Sequence, residues 1–562
     1  MKELVIKLLK KALKAKKVKI KEEQIDKLLE IPPNIELGDY AFPCFFLAEK
    51  FKESPEQVAL DIREKIGTPP ATDFEDIQTQ GPYINFFFNR KSLAKKLVWN
   101  AINKKENFGK SKIGDKKKII VEFSSPNIAK PFGIGHLRST IIGNSIANLC
   151  EFQGFKVIRL NYLGDWGAQF GRLLVAYKKF GNEKELQKNP IEYMLNLYVK
   201  ANKKQFDKLA AEEFKKLENG EKEEVMLWRT FKEYSQEEFN EMYQKLGIKF
   251  DQQLGESMYG KKMKETIKEL KNKDLLKKSQ GAQIVDLTKY GLGVCLIEKK
   301  DGATLYATRD LTSAIDRYKK YKFDRMIYEV GKEQELYFNQ LFKILELMGY
   351  KWAEKCIHVI HGHYLDKDGR RFSTRKGKSV FMKDILTETI SLAKKEIKKR
   401  SPKINESELE KRASKIAIAA IFYGDLKNNR KNNALFDIKK FVSFEGDTGP
   451  YIQYSYARAS SIQRKAKNSQ KFEVYDLENI EIELIKKLLE FPDIALKAYT
   501  FLNPSLIANY AYKISKLFNE FYHSCPVIGS KSEMFRLALV EAFRQIIKNC
   551  AHLLGFELLE EM

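Results

Sequence analysis

The chain is poor in the features that mark metal-bound, disulfide-bonded or membrane-spanning proteins. Its six cysteines (Cys44, Cys150, Cys295, Cys356, Cys525, Cys550) contain no Cys-x-x-Cys pair. That scatter argues against a zinc ribbon and a disulfide scaffold, and it fits a reducing cytosol. His358, His361 and His363 cluster near a strand-like run, but a metal site needs more ligands than the surrounding text offers, so no structural metal is expected. His523 and His552 carry no signal. No apolar run approaches the roughly 20 residues that cross a bilayer, so a soluble, cytoplasmic protein with no membrane partner is expected. No internal repeat is visible. Acids are the minority charge: Lys+Arg 101 against Asp+Glu 75 leaves +26. This excess favours a polyanionic partner such as nucleic acid, although a Lys-rich solvated surface serves solubility equally well.

What is present is enough for several cores. At 562 residues, 43% apolar and 12% aromatic, the chain reads as two to four folded domains rather than a disordered one. The basic stretch from Leu4 to Ile20 places Val5, Leu8, Leu9 and Leu13 on one helical face. A transit peptide is the alternative. The prompt return of acids (Glu22, Glu23, Asp26), the lack of Ser and the use of Lys predict a folded first helix instead.

Residues 1 to about 105 read as a small α+β unit. Turns fall at Pro32-Pro33 and Pro69-Pro70, and a strand-like run covers Tyr83 to Phe88. Ile119 to Phe123 has the pattern of a short buried strand, ended by Ser124-Ser125-Pro126-Asn127. A long helix beginning near His136 runs to Gly154, and a second strand covers Phe155 to Leu160. Strand, loop, helix and strand in about forty residues make a βαβ unit, the start of a parallel nucleotide-binding sheet. From about 180 to 280 the text is charged and helical, as in an insertion between two halves of that sheet. Strand-like runs return at Gln283 to Leu287, Val294 to Ile297, Met326 to Val330 and Ile357 to Ile360. Beyond about 385 the chain is helix-rich.

The most informative segment is Ser125-Pro126-Asn127-Ile128-Ala129-Lys130-Pro131-Phe132-Gly133-Ile134-Gly135-His136-Leu137-Arg138-Ser139-Thr140. It puts small residues and a histidine between the first strand and its helix, where helix-terminal N–H groups face phosphates in doubly wound sheets. Gly133 and Gly135 allow close approach of a nucleotide to the backbone. Taken alone, Gly-x-Gly reads as a tight turn with an incidental histidine. All sixteen residues, however, resemble the long HIGH motif of the class I arginyl-tRNA synthetases. Asn161 to Gly171, Leu305 to Leu311 and Gly449 to Tyr454 are similar to further family stretches and occur in family order.

The resemblance covers essentially the whole chain and implies a multidomain protein. Its expected parts are an α+β tRNA-elbow-binding domain (1–105), a Rossmann-like α/β class I catalytic domain (116–385) with a helical insertion, a helical connection (386–440) and an all-α DALR-type anticodon-binding domain (441–562). It implies activation of L-arginine by ATP, with Mg2+ accompanying the nucleotide, and transfer to the 3′-terminal adenosine of tRNA-Arg by a monomer. ATP–pyrophosphate exchange is expected only with tRNA present. Such catalysis rests on positioning and on stabilising charge at the phosphate oxygens. Lys130, His136, Arg375 and Lys376 are the implied catalytic groups, and Pro126, Gly133, Gly135, His136, Ser373 and Lys378 the implied ATP contacts. Arg371 to Lys378 is similar to a degenerate KMSKS loop in which Thr374 stands where a second Lys is usual, a loss that Lys130 offsets in relatives. Without the resemblance this loop would read as solvated basic surface.

Gly133 departs from the family, which usually has histidine there. Losing one such donor costs on the order of 3 kcal/mol at a transition state, and Lys130, Arg375 and Lys376 are expected to supply the missing charge. A guanidinium demands carboxylates and planar acceptors. The resemblance assigns arginine to Glu122, Ser125, Asn127, His136, Tyr306, Asp310 and Gln334, with Asp310 on the guanidinium. For tRNA it assigns Asn85 and Phe88 at the elbow, and Tyr451, Tyr454 and, more remotely, Met562 at the anticodon. Tyr456 reads equally well as core. Two other classes compete: a non-catalytic tRNA-binding relative, against which Tyr306, Asp310 and Gln334 speak, and a nucleotidyl transferase, which the length and the helical C-terminal part disfavour.

Overall fold

Alternation along residues 83–88 buries Phe86 and Phe88 while joining two neighbours, and this run is the middle strand of a small antiparallel sheet. The computed structural model describes every residue except 261, 300–305, 373–380 and 467–472, with Ile35 described in backbone only. The described residues form two compact units, one of 1–105, 462–490 and 517–545, the other of 106–461, 491–516 and 546–562.

In the first unit, helix α1 (Lys2–Ala15) buries Val5, Ile6, Leu9, Ala12 and Leu13, as its period predicts. Strands β1 (Tyr40–Pro43), β2 (Phe74–Gln80) and β3 (Tyr83–Phe88) lie in the order β1-β3-β2, with Phe86 opposite Tyr40 and Ile77. Helix α2 (Arg90–Lys104) follows. Asn89 caps it by accepting from the Ser92 N–H at 2.9 Å, and Leu93, Ala94, Leu97, Val98 and Ala101 form its buried face. Asn85 and Phe88, expected at an RNA surface, are instead inside. Asn85 is 5% exposed, and Phe88, with no exposure, stacks on Phe74 at 4.7 Å. An enclosed ring has no face left for a base, so both serve the core of this sheet.

The second unit is built on a five-stranded parallel sheet in the order β11-β10-β4-β5-β6. Its members are β4 (Lys118–Glu122), β5 (Lys156–Leu163), β6 (Gln252–Gly255), β10 (Arg325–Gly331) and β11 (Cys356–His361). Helix α3 (Ile134–Phe152) joins β4 to β5 and is buried nearly all round, its polar residues Arg138, Ser139, Thr140, Asn144, Ser145 and Asn148 included. Gly143 is required there: a Cβ would stand 2.2 Å from that of Phe123. The winding reverses at β4, whose neighbours are β5 on one side and β10 on the other, so a crevice opens beyond its carboxyl end.

Two features differ from the sequence reading. The charged stretch contains helices such as α4 (Lys222–Leu246), but it also contains β6, the edge strand of the sheet. Four residues beginning Gln-Gln carry no hydrophobic alternation, so periodicity misses them. The runs near 283–287 and 294–297 are not part of the parallel sheet. They form β8 (Ala282–Asp286) and β9 (Val294–Glu298), which with β7 (Leu276–Ser279) make a separate antiparallel sheet. Helix α5 (Tyr306–Tyr321) leads into β10. Beyond residue 381 the described regular structure is helical apart from one two-residue strand, and includes α6 (Glu406–Leu426) and α7 (Gly449–Lys465).

Candidate active site

The turn after β4 is held in a costly conformation. Ser124, Ser125 and Ala129 have φ of 72°, 45° and 59°, a region that non-glycine residues rarely enter. Hydrogen bonds fix each of them. The Ser124 N–H donates to Ser139 Oγ at 3.0 Å, the Ser125 N–H to Asn161 Oδ1 at 3.1 Å, and the Ala129 N–H to Ser235 Oγ at 2.9 Å. Tyr243 of α4 ties Ser124 Oγ (2.7 Å) to Asn161 Nδ2 (3.1 Å). Asn127 packs on Gly164, where a Cβ would meet its Oδ1 at 2.2 Å, and the Gly164 N–H donates to the Pro126 carbonyl at 3.1 Å. Ser125 Oγ is buried without a partner among the described residues, a hydroxyl left for a ligand.

Gly133 precedes the first turn of α3, and its N–H donates to His136 Nδ1 at 3.3 Å. A donor facing Nδ1 requires that nitrogen to be unprotonated, so the ring proton sits on Nε2. Burial, and then the nearby Lys130 charge, push the imidazole pKa down to about 4. His136 is therefore a neutral Nε2–H donor at physiological pH. Burial also lowers the pKa of Lys130, whose ammonium lies 5.8 Å from the Tyr198 ring. Gly135 is exposed with open space beyond it. Phe381 pairs with Gly133, and the Met382 N–H donates to the Phe132 carbonyl at 2.9 Å, which puts the residues after 373–380 beside this helix start. Ser373, Arg375, Lys376 and Lys378 themselves lie outside the described residues.

A second group gathers acids around Tyr162. Asp310 accepts a short hydrogen bond from the Tyr337 hydroxyl, and burial still raises its pKa. Glu256 follows β6 and lies 3.4 Å from Arg309. Burial, with Asp310 and Asp165 adding repulsion, drives its carboxyl up to about 8. Asp165 anchors this corner by accepting from the Ser257 N–H (2.8 Å), Ser257 Oγ (2.7 Å) and Lys232 (2.7 Å). Glu122, at the tip of β4, is paired with the buried Arg317, whose guanidinium stands 4.7 Å from the Tyr162 ring. Burial raises Tyr162, and Asp310, Glu256 and Glu122 all contribute to the rise, so the three acids share one neighbourhood. Glu122 is paired with Arg317, whose charge also acts on Asp310, while Arg309 acts on both Asp310 and Glu256. Fully ionised, these three acids would outnumber these two arginines by one.

Tyr306 belongs to the same neighbourhood. It is 55% exposed, one turn before Asp310, and its phenol pKa is raised by burial and then by Glu256. Gln334, in the short 3-10 turn after β10, is exposed, and it is Tyr337 three residues on that reaches Asp310. Glu256, Arg309, Arg317 and Tyr337 escaped the sequence reading. Arg309 adjoins Asp310 in the quoted run and could have been found, while the others are brought in from separate elements.

Three family models match the chain. One described as "tRNA synthetases class I (R), catalytic domain" spans residues 97–438. "Arginyl tRNA synthetase N terminal domain" spans 3–88 and "DALR anticodon binding domain" spans 452–562. A Clostridium perfringens protein named arginine–tRNA ligase is 42% identical over 557 residues, covering 97% of this chain and 98% of that protein. The chain belongs to the class I arginyl-tRNA synthetases. A second relative of this synthetase, from Clostridium acetobutylicum and of the same name, is 42% identical over 550 residues, covering 96% of this chain and 97% of that protein. The fold matches solved arginyl-tRNA synthetases of Plasmodium falciparum (TM-score 0.82, 24% identity, 100% of this chain and 99% of that one) and Thermus thermophilus (0.81, 22%, 100% of both).

In the DALR part of the synthetase, Tyr451 and Tyr454 are on the first turns of α7, not in a loop, and both are partly exposed. The Arg458 guanidinium lies 4.8 Å from the Tyr454 ring. Tyr456 is buried and donates to Glu560 at 2.8 Å, which settles it as core. Met562 is partly exposed. His361 is bound to the buried Glu329 at 2.7 Å, and His358 stacks on Phe338 at 4.5 Å. Among the described residues no group of three His, Cys, Asp or Glu could hold a metal ion, and no helix is long and apolar enough to cross a membrane.

Proposed function

We propose that the two groups of residues beyond the sheet's carboxyl edge bind the two substrates of arginine activation, and that the chain passes the activated arginine to tRNA-Arg. The carrying observation is the buried acid cluster: burial raises the pKa of Asp310 and Glu256, and Arg309, with Arg317 for Asp310, offsets only part of that rise. A guanidinium is permanently charged and presents a fork of N–H donors suited to two carboxylates. Tyr306 stands near enough to Glu256 and Asp310 for their charges to help raise its phenol pKa. Arg317 already neutralises Glu122, so Glu122 and the unpartnered Ser125 hydroxyl suit the polar main-chain end of arginine rather than its side chain. Asn127 and Gln334 complete the arginine-binding set in this reading.

ATP takes the α3 side. The His136 Nε2–H donates to the nucleotide as charge grows on the α-phosphate, and the fixed tautomer means no reorganisation at that moment. Lys130 adds charge near the phosphates, Ser373, Arg375, Lys376 and Lys378 are further ATP-site groups in this reading, and Mg2+ arrives with the triphosphate. Pro126, Gly133 and Gly135 leave the backbone accessible. One arginine carboxylate oxygen attacks the α-phosphorus in line, forming the acyl-phosphate bond as the bond to pyrophosphate breaks. A 3′-terminal ribose hydroxyl of tRNA-Arg then attacks the acyl carbon, and AMP leaves. Tyr451, Tyr454 and Met562 meet the anticodon in this reading, where aromatic rings stack splayed bases. The same reading has the enzyme working as a monomer in the cytoplasm.

ATP–pyrophosphate exchange with arginine, run with and without tRNA-Arg, tests this. Exchange that needs both arginine and tRNA is expected, together with charging of tRNA-Arg. Full exchange without tRNA would refute the tRNA requirement, and no arginine-dependent exchange at all would refute the function.

A further inference from the structure

The charged helical stretch reaches the turn after β4 through one hydroxyl, that of Tyr243 on α4. The Tyr243 ring packs edge-on against Phe132 at 5.6 Å and Phe250 at 4.8 Å, which accounts for the ring and not for its oxygen. That oxygen belongs to a row of polar side chains closed off from water. Asn161 Nδ2 lies 3.1 Å from Tyr243 Oη, which lies 2.7 Å from Ser124 Oγ. Ser124 Oγ lies 2.8 Å from Thr140 Oγ1, which lies 2.7 Å from the His136 carbonyl oxygen. Asn161 and Thr140 have no exposure, and Tyr243 and Ser124 are only 3% and 5% exposed.

The protons along this row can run in one direction only. The Ser125 N–H donates to Asn161 Oδ1 at 3.1 Å, so the NH2 of that amide faces Tyr243 and donates to it. Among the described residues the Tyr243 proton then has Ser124 Oγ as its acceptor. Thr140 has one proton, and the His136 carbonyl, which can only accept, takes it. Ser124 therefore donates to Thr140, and each hydroxyl donates once and accepts once. The row ties the backbone of Ser125 to the first turn of α3, which carries His136. Ser124 and Ser125 have φ of 72° and 45°, conformations that persist only where the surroundings impose them.

We infer that Tyr243 is a positioning residue for arginine activation, holding Ser125 and the His136 turn in register through the relay Asn161–Tyr243–Ser124–Thr140. This rests on the reading that Ser125 meets arginine and His136 meets ATP. Tyr243 touches neither substrate in this account. Its hydroxyl keeps the strained turn from relaxing, so that the Ser125 hydroxyl and the His136 ring stay aimed at the reacting groups. Water cannot stand in for a missing member, because the row is buried, and a break leaves a donor or acceptor unmatched on each side of it.

The test is arginine-dependent ATP–pyrophosphate exchange by the full chain at saturating tRNA-Arg, expressed per folded molecule at a temperature below the melt. Tyr243→Phe keeps the ring and removes the oxygen. It should lower kcat/KM for arginine roughly 10- to 100-fold, the loss that a displacement of about 1 Å produces. Thr140→Val cuts the same row at its other end and should act in the same direction, whereas Thr140→Ser, which keeps the hydroxyl, should restore activity close to the parent's. Because one break disables the row, the double variant should cost little more than the worse single one. Losses that multiply would show two unrelated defects in a core and overturn the relay. A Tyr243→Phe variant that melts lower but keeps the parent's arginine kcat/KM would make Tyr243 a structural residue, and the function would stand. If the wild type shows no arginine-dependent exchange, both readings fall.

Discussion

Replacing Asp310 by asparagine removes one charge and little else. Asn keeps an oxygen that can accept from Tyr337, so the hydrogen bond linking the two elements survives. In the free enzyme the buried Asp310 carboxylate is unfavourable, as its raised pKa records, with Arg309 and Arg317 offsetting only part of the burial. Asp310→Asn should therefore be as stable as the parent, or slightly more so. Binding should suffer in the opposite sense, because the guanidinium loses a desolvated, charge-assisted partner. Removing one member of such a pair costs about 2–5 kcal/mol, or about 30- to 5000-fold in kcat/KM for arginine. Most of it should appear as a raised arginine KM, with the KM for ATP nearly unchanged. The measurements are arginine-dependent exchange at saturating tRNA and a thermal melt on the same sample. An unchanged arginine KM, or a sharp fall in melting temperature, would show that Asp310 is a structural acid and that the charge argument is mistaken.

Glu256 should make arginine binding pH-dependent. Its folded-state pKa of about 8 lies above the ordinary carboxyl value, so the free enzyme holds a proton there at neutral pH that must leave when the guanidinium binds. The arginine KM should fall as pH rises toward about 8 and level off above it, whereas Glu256→Gln should raise KM and flatten the profile. The same shift makes Glu256 favour folding at low pH and lose that contribution as pH climbs through about 8, so a flat KM profile with a normal stability curve would count against the assignment. His136→Gln should lower kcat about a hundred- to a thousandfold while leaving the arginine KM in place. In the parent, no kinetic limb near pH 6.5 should belong to His136, whose pKa is held near 4. Gly133→His should change turnover only modestly, and a gain of several orders of magnitude would show that Lys130 and the basic loop do not replace the missing donor.

Local features were legible and non-local ones were not. The β4–α3–β5 unit could be read because each element declares itself within one window: an apolar run, a glycine-rich turn, then a long helix with regularly spaced Ile and Leu residues. Lys130, His136, Tyr306 and Asp310 could be named because they sit in contiguous matching text. The short, polar β6 had no pattern to declare it, and Glu256, which follows it, stayed hidden for the same reason. β8 and β9 did look like strands, but strand text does not say which sheet a strand joins. Phe88 was assigned to tRNA through the resemblance alone; which face of its strand is covered depends on the elements folded against it, and here the ring is buried against Phe74.

Alone, the order of residues determined the family, the class of chemistry and the basic character of α2. These depend on neighbours in the chain, where spacing and side-chain type suffice. Only the tertiary structure decided the electrostatic state of the site. It brought Arg317 onto Glu122, Arg309 to Glu256 and Tyr337 to Asp310, in one buried cluster of three acids and two arginines. Whether a carboxylate awaits a partner depends on how deeply it is buried and on which charges, 50 or 200 residues away in sequence, fold against it, because Coulomb energy and desolvation follow distance in space rather than along the chain.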